Sequence, residues 1–158
     1  MEMIINTVRV ENLSKIYQSS KKAVSVFEGV NFTVYEGERI ALIGESGTGK
    51  STLLHLLGAL DTPSSGTIYF GGDVLSAFKG SERARYRNET VGYVWQSHNL
   101  LPEFTAIENV MMPLLISGSP SGTARVEAQE LLEETGMGGH AQRRIGEISG
   151  GEQQRVAL

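Results

Sequence analysis

Residues Gly44, Glu45, Ser46, Gly47, Thr48, Gly49, Lys50 and Ser51 match the spacing G-x-x-x-x-G-K-[ST]. These residue types at this spacing suit one task, the holding of a polyphosphate. Gly44, Gly47 and Gly49 permit tight turns and close backbone approach. Successive N–H groups then converge on an anion at the start of a helix. A helix end alone supplies only about 0.3–1 kcal/mol, up to about 2 when partly buried. A triphosphate needs more, so Lys50 adds a point charge at the β- and γ-phosphates and the Ser51 hydroxyl adds a ligand for Mg²⁺. The flanks agree. "RIALI" precedes the loop and reads as a strand, and "STLLHLL", from Ser51 and Thr52 onward, reads as a helix. A chance glycine-rich turn would lack that context.

A second stretch, "ISGGEQQR", begins at Ile148. Ser149 offers a hydroxyl, Gly150 and Gly151 offer unobstructed N–H groups, and Glu152 opens a polar, helix-forming run. By itself Ser-Gly-Gly commonly marks only a loop. Its position downstream of a phosphate loop gives it weight.

The elements that must position these residues are legible in outline. The chain has 158 residues, 40% hydrophobic and 20% charged, near the average for soluble domains. A net charge of −4 argues against nucleic acid as the main partner, since phosphate backbones select basic faces. The absence of cysteine excludes disulfides and thiol chemistry. The opening "MEMIINTVRV" shows no basic segment followed by an apolar one, so it does not read as a secretory signal. "VMMPLLI" is far shorter than the roughly 20 residues a membrane span needs.

"IINTVRV" and "VNFTV" read as strands, the latter alternating as a half-exposed sheet does. "RIALIG" and "VGYVWQ" are continuous apolar runs, expected as strands buried on both faces of a parallel sheet. "SSGTIYFGGDVL" reads as a strand and a glycine turn, and "SERARYRNE" as a short polar helix. From Leu101 the texture is helical. "LPEFTAIENVMMPLL" carries prolines towards both ends, and "SGTARVEAQELLEETG" is amphipathic, with Ala124, Ala128, Leu131 and Leu132 on one face and Gly136 at its close. The expectation is an α/β fold: a P-loop NTPase core with an antiparallel β-subdomain over residues 1–96 and an inserted helical subdomain over 97–158.

On these motifs the chain resembles the ATP-binding subunits of ABC transporters, along its whole length. "ISGGEQQR" is similar to that family's signature, with Ile148 in place of the commoner leucine. The resemblance implies that residues 149–152 bind the γ-phosphate of ATP held by a second copy of the chain. It implies that Tyr17, in "LSKIYQ", stacks on adenine; the plainer reading is a tyrosine packed at a strand edge. It implies that Gln96, after "VGYVW", senses Mg²⁺ and the attacking water. "STLLHLLGALDTPSSG", "RNETVGYVWQ" and "HNLLPEFTAIENVMMPLLI" look most like the ATPases of lipoprotein-releasing systems, with macrolide-export ATPases as near relatives. Partner permease subunits in the inner membrane, with this chain on its cytoplasmic face, are implied in the same way. Leu100, Leu101, Phe104, Ile107 and Met111 then either receive the permease or form subdomain core. The alternatives are an efflux-type ATPase and a soluble ABC ATPase without a permease; the latter usually carry coiled-coil insertions, and none is visible. A GTPase would need an [NT]-K-x-D motif, which does not occur.

The family's Asp-Glu strand and switch histidine are expected after the signature, and residues 152–158 do not contain them. The sequence therefore reads as C-terminally incomplete and the chain alone as inactive in hydrolysis. The run "RIALI" is expected to be left without the neighbouring strands that would cover it.

Overall fold

The computed structural model describes residues 6–19 and 22–158. The chain divides into two compact units, Met1–Arg87 and Asn88–Leu158. The division lies ahead of the expected 96/97 boundary, so Gln96 belongs to the second unit.

The first unit is built on a four-stranded antiparallel sheet ordered β2-β1-β3-β4. Its strands are β1 (Asn6–Ser19), β2 (Lys22–Tyr35), β3 (Ser65–Phe70) and β4 (Asp73–Val74). β1 pairs on both sides along most of its length, with Tyr17 opposite Val24 in β2 and Val10 opposite Ile68 in β3. The register shifts between Lys15, opposite Phe27, and Ile16, opposite Ser25, which leaves Val26 as an extra bulged residue. Gly71 and Gly72 both take positive φ, 55° and 98°, and close the β3–β4 hairpin tightly. The expected strand and turn at "SSGTIYFGGDVL" are thus present. Residues 4 and 5 of "IINTVRV" lie outside the described residues.

Helix α1 (Lys50–Leu57) follows the glycine loop and buries Leu53 and Leu56. Helix α2 (Gly80–Glu89), the expected polar helix, buries only Tyr86. That ring meets Phe70 and Phe78 edge-on, with centroids 5.2 and 5.9 Å away, and its hydroxyl donates to the Leu57 carbonyl at 3.0 Å.

The two expected parallel strands are not formed. Residues 39–43 and 91–95 have no strand assignment, and 39–43 are exposed throughout, with Ile43 at 92%. A strand exists only when a neighbour takes its N–H and C=O groups. Neither run is assigned to the sheet, so apolar content alone does not make a strand.

The second unit is helical: α3 (Ala106–Ile116), α4 (Ser121–Glu134) and α5 (Gly150–Val156), with 3₁₀ turns at Gly138–His140 and Ile145–Glu147. Ala106, Ile107, Met111, Ala124, Ala128, Leu132, Met137, Ala141, Ile145, Ile148 and Val156 form one buried cluster. Pro113 lies inside α3 rather than at its end, and the helix continues past it through Ser117 N–H to Pro113 O at 3.0 Å. Leu131 departs from expectation. It is 43% exposed, while Leu132 beside it is buried: successive helix positions are turned by about 100°, and only Leu132 faces the cluster.

Candidate nucleotide-binding site

The glycine loop is shaped by conformations that only glycine adopts cheaply. Gly49 has φ 92° and caps the start of α1. A Cβ there would lie 2.6 Å from Val26 Cγ1 and 3.0 Å from Phe27 Cδ1. The loop therefore returns hard against the bulge of β2, where no side chain fits. Gly49 also has no side chain with which to cap α1. The first-turn N–H groups remain available to an anion.

Lys50 is held over this loop by the loop itself. Its Nζ donates to Gly44 O at 2.8 Å, to Glu45 O at 2.6 Å and to Thr48 Oγ1 at 3.4 Å. Thr48 ties the turn, donating from Oγ1 to Glu45 O at 2.9 Å. A cleft of about 330 Å³ opens beside it, lined by Val26, Ser46, Gly47, Gly49, Lys50, Ser51 and Thr52. Ser46, Gly47, Gly49, Lys50, Ser51 and Thr52 of the expected phosphate loop thus line one concavity, and Gly44, Glu45 and Thr48 do not. Burial of Leu53 and Leu56 anchors the helix beneath them.

Tyr17 sits on β1, opposite Val24, on the same hairpin whose Val26 and Phe27 support Gly49. Its ring is 43% exposed. Its hydroxyl donates to Asp61 Oδ2 at 2.8 Å, and Lys15 Nζ stands 4.6 Å from its ring centroid. Sequence reasoning missed Lys15 and Asp61 as its partners. Strand alternation does place Lys15 on the Tyr17 side. No local signal announces Asp61.

The remaining candidates lie in the second unit. Gln96 is on an exposed turn. Ser149 is the N-cap of α5, its Oγ accepting from Glu152 N–H at 3.4 Å. In return the Glu152 carboxylate accepts from Ser149 N–H at 2.7 Å and Ser149 Oγ at 2.8 Å. These two bonds, backbone first, hold the Glu152 carboxyl below the usual range. Ser-Gly-Gly-Glu is thus a capping box, a pattern present in the sequence and not read there. Thr105 and Glu108 repeat it at the start of α3. The apolar stripe after Gln96 divides: Ile107 and Met111 are core, whereas Leu101 and Phe104 are exposed. Leu100 packs on the core and, with Pro113, Leu114 and Leu131, lines an apolar cleft of about 440 Å³ that contains no part of the glycine loop.

An apolar-anchored helix that starts at Gly49 without a side-chain cap, under a lysine-bearing loop, defines a P-loop nucleotide-binding protein. The comparisons narrow the class. The chain matches the ABC transporter family over residues 27–158 and belongs to that family. It is 52% identical over 151 residues to the lipoprotein-releasing system ATP-binding protein LolD of Geobacter metallireducens, covering 96% of this chain and 67% of that protein. It is 47% identical over 157 residues to LolD of Xanthomonas euvesicatoria pv. vesicatoria, covering 99% of this chain and 64% of that protein. Among solved structures it resembles the dimeric ATP-binding cassette MJ0796 in a post-hydrolysis state bound to ADP and Pi. There the TM-score is 0.86 and the identity 33%, over 95% of this chain and 66% of that one. The chain thus spans about two thirds of the length of these relatives. Among the described residues no helix is long and apolar enough to cross a membrane.

Proposed function

We propose that the chain is the ATP-binding, energy-coupling part of an ABC transporter that releases lipoproteins from the inner membrane. The observation that supports it most is the Lys50 ammonium poised over the Gly44 and Glu45 carbonyls beside a cleft lined by Ser51 and Thr52. The likeness to lipoprotein-releasing ATPases supports the choice of cargo.

Lys50 and the first-turn N–H groups of α1 bind the β- and γ-phosphates, and Tyr17 takes the adenine. Ser51 presents a hydroxyl oxygen, a donor suited to Mg²⁺, which uses few protein oxygens and completes its shell with water and phosphate. Bound there, Mg²⁺ neutralises charge on the phosphates. Gln96 reports on that metal and the water beside it. Residues 149–152 serve the ATP of a second copy of the chain, an arrangement in keeping with the dimeric state named for the MJ0796 cassette. Permease subunits receive the work, with this chain on the cytoplasmic face. Neither Asp61, which is engaged by Lys15 and Tyr17, nor Asp73, which two glycines separate from its apolar run, is assigned as the hydrolytic base.

Titration calorimetry of Lys50→Ala tests the reading. ATP affinity falls on the order of 10- to 100-fold, as expected for loss of charge-assisted bonds. An unchanged affinity overturns it. Ser149→Arg leaves binding by the single chain intact and abolishes ATP-driven dimerisation; loss of binding by the single chain means that Ser149 acts on its own chain's nucleotide.

A further inference from the structure

Lys15 and Tyr17 lie two residues apart on β1 and so project to one side of the strand. Asp61 reaches them from the loop that follows α1. Lys15 Nζ donates to Asp61 Oδ1 at 2.8 Å and to Thr62 O at 2.7 Å, while Tyr17 Oη donates to Asp61 Oδ2 at 2.8 Å. Lys15 is only 7% exposed, and a lysine is that buried only when paired. Its ammonium stands 4.6 Å from the Tyr17 ring centroid, within cation–π range.

The loop bearing Asp61 is itself tied down. Leu60 N–H and Asp61 N–H both donate to His55 O, at 2.9 and 3.3 Å. From α2, Arg87 Nη1 donates to Ala59 O and Arg83 Nη1 to Thr62 Oγ1, each at 3.1 Å. Asp61 therefore moves with the C-terminal end of α1, and the other end of α1 opens from the phosphate loop. Burial pushes the Asp61 carboxyl up, but the bonds from Lys15, the Thr62 N–H and Tyr17 outweigh it and hold the group below the usual range. The carboxylate is charged at neutral pH, so all its bonds are available there.

We infer that Lys15 and Asp61 are positioning residues for Tyr17, holding its ring in advance as a platform for the adenine base. The inference rests on the reading of Tyr17 as the base contact. A tyrosine on a strand flank otherwise loses rotamer freedom when a ligand stacks on it, and affinity falls by that cost. Here the hydroxyl is anchored at one end of the ring and the ammonium lies by the ring. The anchor lies in the loop bonded to the C-terminal end of the helix whose other end opens from the phosphate loop, so base and phosphate positions are linked through that helix.

Binding of ATP and of inorganic tripolyphosphate to the full chain, by calorimetry, tests the inference. Tyr17→Phe keeps the ring and removes the bond to Asp61; Asp61→Asn removes the charge. Each weakens ATP about three- to tenfold and leaves tripolyphosphate unchanged, and the double variant is no weaker than either single one. Tyr17→Ala weakens ATP further. If Tyr17→Ala has no effect on ATP, the base contact itself is wrong and the inference falls with it. If Tyr17→Ala weakens ATP while Tyr17→Phe does not, the ring is the contact and the brace is refuted. Equal losses of ATP and tripolyphosphate in Asp61→Asn also refute it, because Asp61 then acts on the phosphate loop. Tyr17→Phe alters an exposed residue and keeps the test decisive if Asp61→Asn fails to fold.

Discussion

Each of the two units begins a helix beside glycines, and the two starts are capped differently. In the first unit, α1 starts at Gly49 with no side chain to cap it. In the second, α5 starts at Ser149 inside a closed box with Glu152. One helix start is open to an outside anion. The other is already satisfied from within, and its serine must share or release Glu152 to meet a phosphate. The cores differ in the same sense. The second unit closes a cluster among its own helices and 3₁₀ turns, whereas the first leaves residues 39–43 exposed. A helix pairs its own backbone and needs only an apolar face covered. A strand needs a neighbour for every bond.

The sharpest way to break this contrast is to empty the second unit's core. Leu132→Ala removes a side chain that is 1% exposed and is expected to cost about 2–5 kcal/mol of that unit's stability. ATP affinity at the Lys50 loop is expected to be unchanged. Urea unfolding followed together with nucleotide titration separates the two, and a parallel fall in affinity would show that the units are not independent.

Gly49→Ala attacks the open helix start. It forces a Cβ onto Val26 at positive φ, with an expected cost of about 1–3 kcal/mol and a weakened ATP site. Unchanged calorimetry would mean that the β2 bulge yields more easily than its packing implies.

The smallest effects sharpen the comparison at the closed starts. Ser149→Ala and Thr105→Ala each remove a cap and are expected to cost about 0.5–2 kcal/mol, measured by thermal melts. Bonds from Thr105, backbone first, hold the Glu108 carboxyl below its usual range, as Ser149 holds Glu152. A depressed native pKa means that the unfolded chain binds more protons as the solution is acidified. The caps' contribution is therefore full above the unfolded value, about 4.3 for Glu, and is lost as pH falls through the native values. A melting profile of the second unit that is flat down to pH 3 would contradict the box geometry.

Much of the phosphate site could be read directly from the chain. Gly44 to Ser51 is contiguous, its glycines demand particular turns, and the leucines after it repeat at helical spacing. The α4 face and the Gly71, Gly72 turn were legible for the same reason. The Ser149 and Glu152 box was equally local, and only its functional reading hid it. Tertiary structure decided the rest. It made residues 39–43 an uncovered segment rather than a strand, and it separated Leu131 from Leu132, expected on one helix face. It also brought Asp61 to Lys15 and Tyr17. Local conformation follows from neighbouring side chains and backbone preferences, which a sequence states outright. Burial, strand pairing and a carboxylate's choice of partner depend on residues distant in the chain, and those meet only when the chain is folded.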